Sequence, residues 1–161
     1  MKGLGEKQVL FFVVKFFLIF FVLTYLIELV NLNFFTTALA SLSAAMVGAL
    51  SLGSAVITSH GVYVISNACT GFTSASILAA VVFSLRKPRF SQKVWVFVAG
   101  TIVLLLLNIP RLALVLFAAQ NGWDADLVHT ITWFLMSAAV LLLWYFGTKR
   151  IAKVKDFSEL V

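Results

Sequence analysis

Three side chains of this sequence carry the parts of a thiol-based acyl-transfer site. Cys69, the only cysteine among 161 residues, stands in Ala68-Cys69-Thr70-Gly71-Phe72-Thr73-Ser74. Arg111 closes Asn108-Ile109-Pro110-Arg111, and His129 follows in the next apolar segment. A thiolate attacks a carbonyl carbon, an imidazole moves the protons, and a fixed positive charge stabilises the thiolate or the oxyanion. That chemistry needs all three in one place, although they are far apart along the chain.

The elements that would position them are membrane helices. The chain is 62% hydrophobic and 11% charged, with a mean hydropathy of +1.08. A soluble domain carries about twice that charged fraction. Several apolar runs reach the ~20 residues that cross a bilayer. The reading is an all-α, polytopic transmembrane bundle of about five helices, a single domain over 1–161 with its motif-bearing core at about 60–135. The net charge of +6 does not indicate a nucleic-acid partner, because the basic residues cluster beside apolar spans, where they mark the cytoplasmic side. The start, Met1-Lys2-Gly3-Leu4-Gly5-Glu6-Lys7, is similar to a signal-peptide n-region. The apolar run after it continues to about Val30, too long for a cleaved signal, so it reads as a retained span.

The expected helices cover about 9–30, 35–58, 69–85, 93–119 and 127–147. The second is rich in Ala, Ser and Gly, as expected where helices approach closely. Between it and the third, Gly61-Val62-Tyr63-Val64-Ile65 is β-branched and reads as extended. Arg86, Lys87, Arg89 and Lys93 form one basic cluster; Lys149, Arg150, Lys153 and Lys155 form another. Two helices separate them, so both fall on the cytoplasmic side. Asp124, Asp126 and the stretch from His60 to Cys69 then lie outside. Five spans put the N-terminus outside too, against the preference of Lys2 and Lys7; the alternative is that 35–58 does not span.

On this topology the three residues share a depth. Cys69 opens the third helix and His129 lies in the first turn of the fifth, both at the outer end. Arg111 is about 27 Å along the fourth helix from Lys93 at 1.5 Å per residue, in the outer third of a core ~30 Å thick. Each residue also has a plainer reading. A cysteine in a membrane helix is commonly an apolar filler, and a histidine at a helix end an interfacial polar group. Arg111 is harder to explain away: an arginine at mid-span costs about 2.5–3.5 kcal/mol or more, although snorkelling lowers that cost. Ser66 or Asn67 is expected to cap the third helix, so that its N-terminal amides favour a thiolate. Pro110 is expected to kink the fourth helix. Asn108, three residues before Arg111 on the same helix face, can hold the guanidinium or bind a peptide carbonyl.

Other ionisable groups carry less. His60 is a secondary candidate for the base. Lys15 reads as snorkelling and Glu28 as interfacial, about 20 Å apart if helical. Trp123 and Trp133 read as anchors at one interface, Trp95 and Trp144 at the other. The reading calls for no cofactor and no metal.

Together the motifs resemble the exosortase/archaeosortase family of membrane transpeptidases. That family's pattern is a cysteine in Ala-Cys-Ser/Thr-Gly with a nearby serine, then Asn-x-x-Arg in a later helix, then a histidine in the next. Here the matching residues are Cys69 with Ser74, Asn108 with Arg111, and His129. The resemblance implies a cysteine peptidase of exported proteins whose C-terminal sorting signal has a short motif, a transmembrane helix and a basic tail. It also implies transfer of the cut protein to an acceptor, a membrane lipid in the archaeal branch. Catalytic roles fall on Cys69, Arg111 and His129, with Asn108 and Ser74 as substrate-binding positions. The chain is smaller than many members and looks like a minimal core. The competing reading is a small non-enzymatic membrane protein, a transporter subunit or assembly partner; hydrolysis of a lipid or small amide is a third.

Overall fold

A computed structural model describes residues 6–151. It contains five α-helices: α1 Glu6–Leu29, α2 Asn33–Val47, α3 Phe72–Ser84, α4 Phe90–Gln120 and α5 Ala125–Ile151. Three of them, α1, α4 and α5, are long and apolar enough to cross a membrane. The mostly helical architecture and the membrane character agree with the sequence reading. Lys2, Lys153 and Lys155 lie outside the described residues.

The expected helix over 35–58 is corrected. It ends at Val47, where Gly48 adopts φ 71° and its N–H bonds back to the Ala44 carbonyl, a left-handed cap that glycine accepts without a Cβ clash. A small antiparallel sheet follows: β1 Leu50–Leu52, β2 Ala55–Thr58 and β3 Gly61–Val64, in the order β1-β2-β3. The stretch changes from helical to twofold periodicity at this point. Leu50, Leu52, Ile57, Val62 and Val64 point one way, whereas Val56 is buried. Only the β3 portion was expected to be extended; the alternating pattern upstream of it was equally readable.

This change alters the topology. α2 does not return the chain to the other end of the bundle. Its middle packs on the last turns of α4, in a core of Ala40, Ala44, Val56, Ile65, Leu112 and Leu116. The start of α1 lies beside the end of α3, where Gln8 and Lys15 share a hollow with Ser84 and Arg86. The end of α5 meets the start of α4, with Gly147 against Val96. The first described residues, the α3–α4 loop and the end of α5 therefore share one end, the basic end. The expectation that the N-terminus lies opposite the basic clusters is overturned for the described residues, and the conflict at Lys7 disappears. Lys15 bends over the Phe11 ring at 4.3 Å, as a snorkelling lysine does.

A second core of Leu78, Val82, Val96, Leu104, Met136 and Val140 joins α3, α4 and α5. Gly100 lets α3 approach α4: a Cβ there would come within 2.5 Å of a Leu78 methyl. This core is the rigid support on which the opposite end of the bundle is built.

Candidate active site

Cys69 does not sit in the first turn of α3. It lies in a separate 3-10 turn, Asn67–Thr70, just ahead of that helix. The turn is closed by the Cys69 N–H on the Ser66 carbonyl at 2.9 Å and by the Thr70 hydroxyl on the Asn67 carbonyl at 2.6 Å. Gly71, at φ 88°, then swings the chain into α3. A Cβ on Gly71 would also come within 3.3 Å of Asn108 and Leu105, so glycine serves both the turn and the close approach to α4. Neither Ser66 nor Asn67 caps a helix through its side chain. The Asn67 amide instead donates to the carbonyls of Ile27 and Val30 at 3.4 and 3.5 Å, tying the turn to the end of α1. The Ser66 hydroxyl lies 3.6 Å from the Cys69 sulfur.

The residue that joins turn and helix is Asn108. It is almost wholly buried, at 1% exposure. Its Nδ2 donates to the Cys69 carbonyl at 2.6 Å, and its Oδ1 accepts from Arg111 Nη1 at 3.1 Å. The expectation that Asn108 would hold the guanidinium is met. The peptide carbonyl it binds is the chain's own, at the nucleophile. Arg111 is buried at 9% exposure, and its Nε has no hydrogen-bond partner among the described residues. Its charge acts on both Cys69 and His129. Pro110 faces outward, and α4 continues through it.

His129 lies one turn into α5, whose start is capped by Asp124 Oδ1 accepting the Leu127 N–H at 2.9 Å. Cys69 and His129 line the same cavity of about 140 Å³, together with Tyr63, Val64, Leu112 and Asp126. The cavity is bounded by β3, the 3-10 turn, α4 through Leu112, Val115 and Leu116, and α5; Arg111 and Asn108 do not line it. Arg111 lies about 27 Å from Lys93 along α4, and His129 about 30 Å from Lys149 along α5.

Two expected participants are elsewhere. Ser74 is half-buried in the first turn of α3 and does not line this cavity. His60 is at the β2–β3 turn, bonded through Nδ1 to the Ser59 hydroxyl at 2.9 Å and packed over Gly122. Conversely, Asp126 was read only as part of an acidic loop. It lines the cavity, and its charge acts on His129. The available signal was its spacing, three residues before His129 at the start of a helix, which puts both on one face.

The chain matches no protein-family model, no curated protein and no solved structure. Fold and site together define a helical membrane protein with a thiol and an imidazole in one cavity beside a buried arginine.

Proposed function

We propose that this protein is a membrane-embedded cysteine transpeptidase that cuts C-terminal sorting signals of exported proteins. The observation that carries this reading is the cavity holding Cys69 and His129, next to a buried Arg111 linked to Cys69 through Asn108. A structural arginine would be expected to have its donors satisfied, since an unpaired buried polar group costs about 1–3 kcal/mol. The unpartnered Nε of Arg111 fits a group held ready for an anion that forms during reaction.

His129 takes the Cys69 thiol proton, the thiolate attacks the scissile carbonyl carbon, a C–S bond forms and the carbonyl electrons move onto oxygen. Arg111 stabilises the thiolate beforehand and the oxyanion afterwards. The oxyanion collapses, the C–N bond breaks, and His129 gives its proton to the departing amine. An amine or hydroxyl of an acceptor, such as a membrane lipid, then loses its proton to His129 and attacks the thioester, releasing the thiolate. Water in that role gives hydrolysis. Asp126 lines the same cavity as His129 and supplies a negative charge beside it. The basic end faces the cytoplasm, so the cavity opens near the headgroups of the opposite leaflet, where a signal's transmembrane helix begins.

The test is processing of a tagged exported protein that ends in a short motif, an apolar helix and a basic tail. Cys69→Ala is expected to abolish processing and His129→Ala to reduce it by at least about a hundredfold, with normal amounts of protein in the membrane. Normal processing by Cys69→Ala ends the proposal.

A further inference from the structure

The sheet beside the cavity has two edges, and they differ. The β1 edge lies against α2, where the Ser51 hydroxyl reaches Ser41 at 3.3 Å. Among the described residues the β3 edge has no such cover. Ile65 N–H bonds to the Ser54 carbonyl at 2.8 Å, which sets the alternation of the β2–β3 ladder. Tyr63 and Gly61 turn their peptide groups inward with it, toward Val56 and Thr58. Val62 and Val64 therefore turn theirs outward. No hydrogen bond from another described residue reaches these groups.

An open edge of this kind is a template for another strand, and it is costly at the border of a membrane unless something covers it. Its position says what does so. Val64 itself lines the cavity, and the chain reaches Cys69 within five residues of Val64. The outward face of the sheet is aliphatic throughout, with Leu50, Leu52, Ile57, Val62 and Val64 exposed.

We propose that the substrate segment leading to the scissile bond binds as a fourth strand on the open edge of β3. This inference rests on the function proposed above and specifies how the substrate is held. Both chains descend toward the membrane, β3 from its hairpin tip and the substrate from its exported domain, so the pairing is parallel. One substrate residue donates its N–H to the Val62 carbonyl and accepts from the Val64 N–H. Backbone bonds supply affinity without reading sequence, and alternate side chains lie along the aliphatic face. The recognised substrate is thus an extended, apolar peptide.

The experiment uses the full chain in detergent and an acetylated pentapeptide of alternating valine and threonine ending in a chloromethyl ketone. The Cys69 thiolate displaces chloride from this reagent to form a thioether. Labelling is compared with that by iodoacetamide, which needs no docking. N-methylation at alternate peptide nitrogens is expected to slow peptide labelling by about tenfold in one phase and little in the other, the loss of one hydrogen bond in a sheltered site. Val64→Pro, which removes an outward N–H and no ladder bond, is expected to lower the ratio of peptide labelling to iodoacetamide labelling of the same variant similarly, and an unchanged ratio overturns the docking. Equal labelling by methylated and unmethylated peptides overturns the strand docking while leaving the thiol reading intact. A Cys69 inert to both reagents overturns the thiol reading, and the docking with it.

Discussion

The two ends of this bundle treat their polar groups in opposite ways. At the basic end, polar side chains are satisfied close to home. The Ser84 hydroxyl bonds to the Ala80 carbonyl one turn back, and the Lys93 ammonium bonds to the Leu85 carbonyl at the end of α3. At the cavity end the ties run between distant elements: Asn108 of α4 to the Cys69 carbonyl, and Asn67 to the end of α1. Between the ends lies an apolar core in which Leu78 and Leu104 are fully buried. Local satisfaction costs a fold little and specifies little. Long-range polar ties at a buried site fix geometry, because a missing partner leaves an uncompensated group. One end is scaffold and the other is site.

Substitutions at the two ends should therefore separate chemistry from stability. The largest effect is expected at Arg111. Arg111→Met keeps the length of the side chain and removes its charge, and processing should fall by about 100- to 1,000-fold, the scale of losing an oxyanion partner. Asn108 Oδ1 loses its donor in this variant, which costs about 1–3 kcal/mol, so processing is compared per amount of folded protein in the membrane. An active Arg111→Met protein would remove the distinction between the ends.

Leu78→Ala sharpens the same comparison from the scaffold side. It opens a cavity in the α3–α4–α5 core and is expected to cost about 2–5 kcal/mol of stability, read by thermal unfolding in detergent. Iodoacetamide labelling of Cys69 in the folded fraction should stay at the parent rate. A changed rate would mean that the core tunes the site and does not merely carry it.

The smallest of the three effects is expected at Asn108. Asn108→Ala unties the Cys69 carbonyl and the Arg111 guanidinium together, costing about 1–3 kcal/mol. Both readouts should move, with lower stability and slower labelling, because this residue belongs to scaffold and site at once. A loss of stability with labelling unchanged would make Asn108 a packing residue only.

Much of this was legible along the chain. The long apolar runs had to be membrane helices, since lipid leaves backbone groups no other partners. Asn108 and Arg111 were legible as neighbours because a helix fixes what lies three residues apart. The β-hairpins were missed because alanine, serine and glycine between 38 and 55 suit a close-packed helix as well as a turn-rich sheet. The glycine at 48, in a left-handed cap, was the deciding residue. Asp126 was missed because its charge matched the loop it was assigned to.

By itself the sequence determined the helical membrane class, the basic end, and the residue types available for thiol chemistry. These follow from composition and from periodicities that any chain segment must obey. Only the tertiary structure decided that α2 stays at the cavity end, that Cys69 occupies its own turn, and that one edge of the sheet is left open beside His129. Those outcomes depend on contacts between segments far apart along the chain, such as Asn108 with Cys69, 39 residues apart, and Ser59 with Gln120, 61 residues apart. No local pattern encodes such contacts, because their free energy arises only when the segments meet.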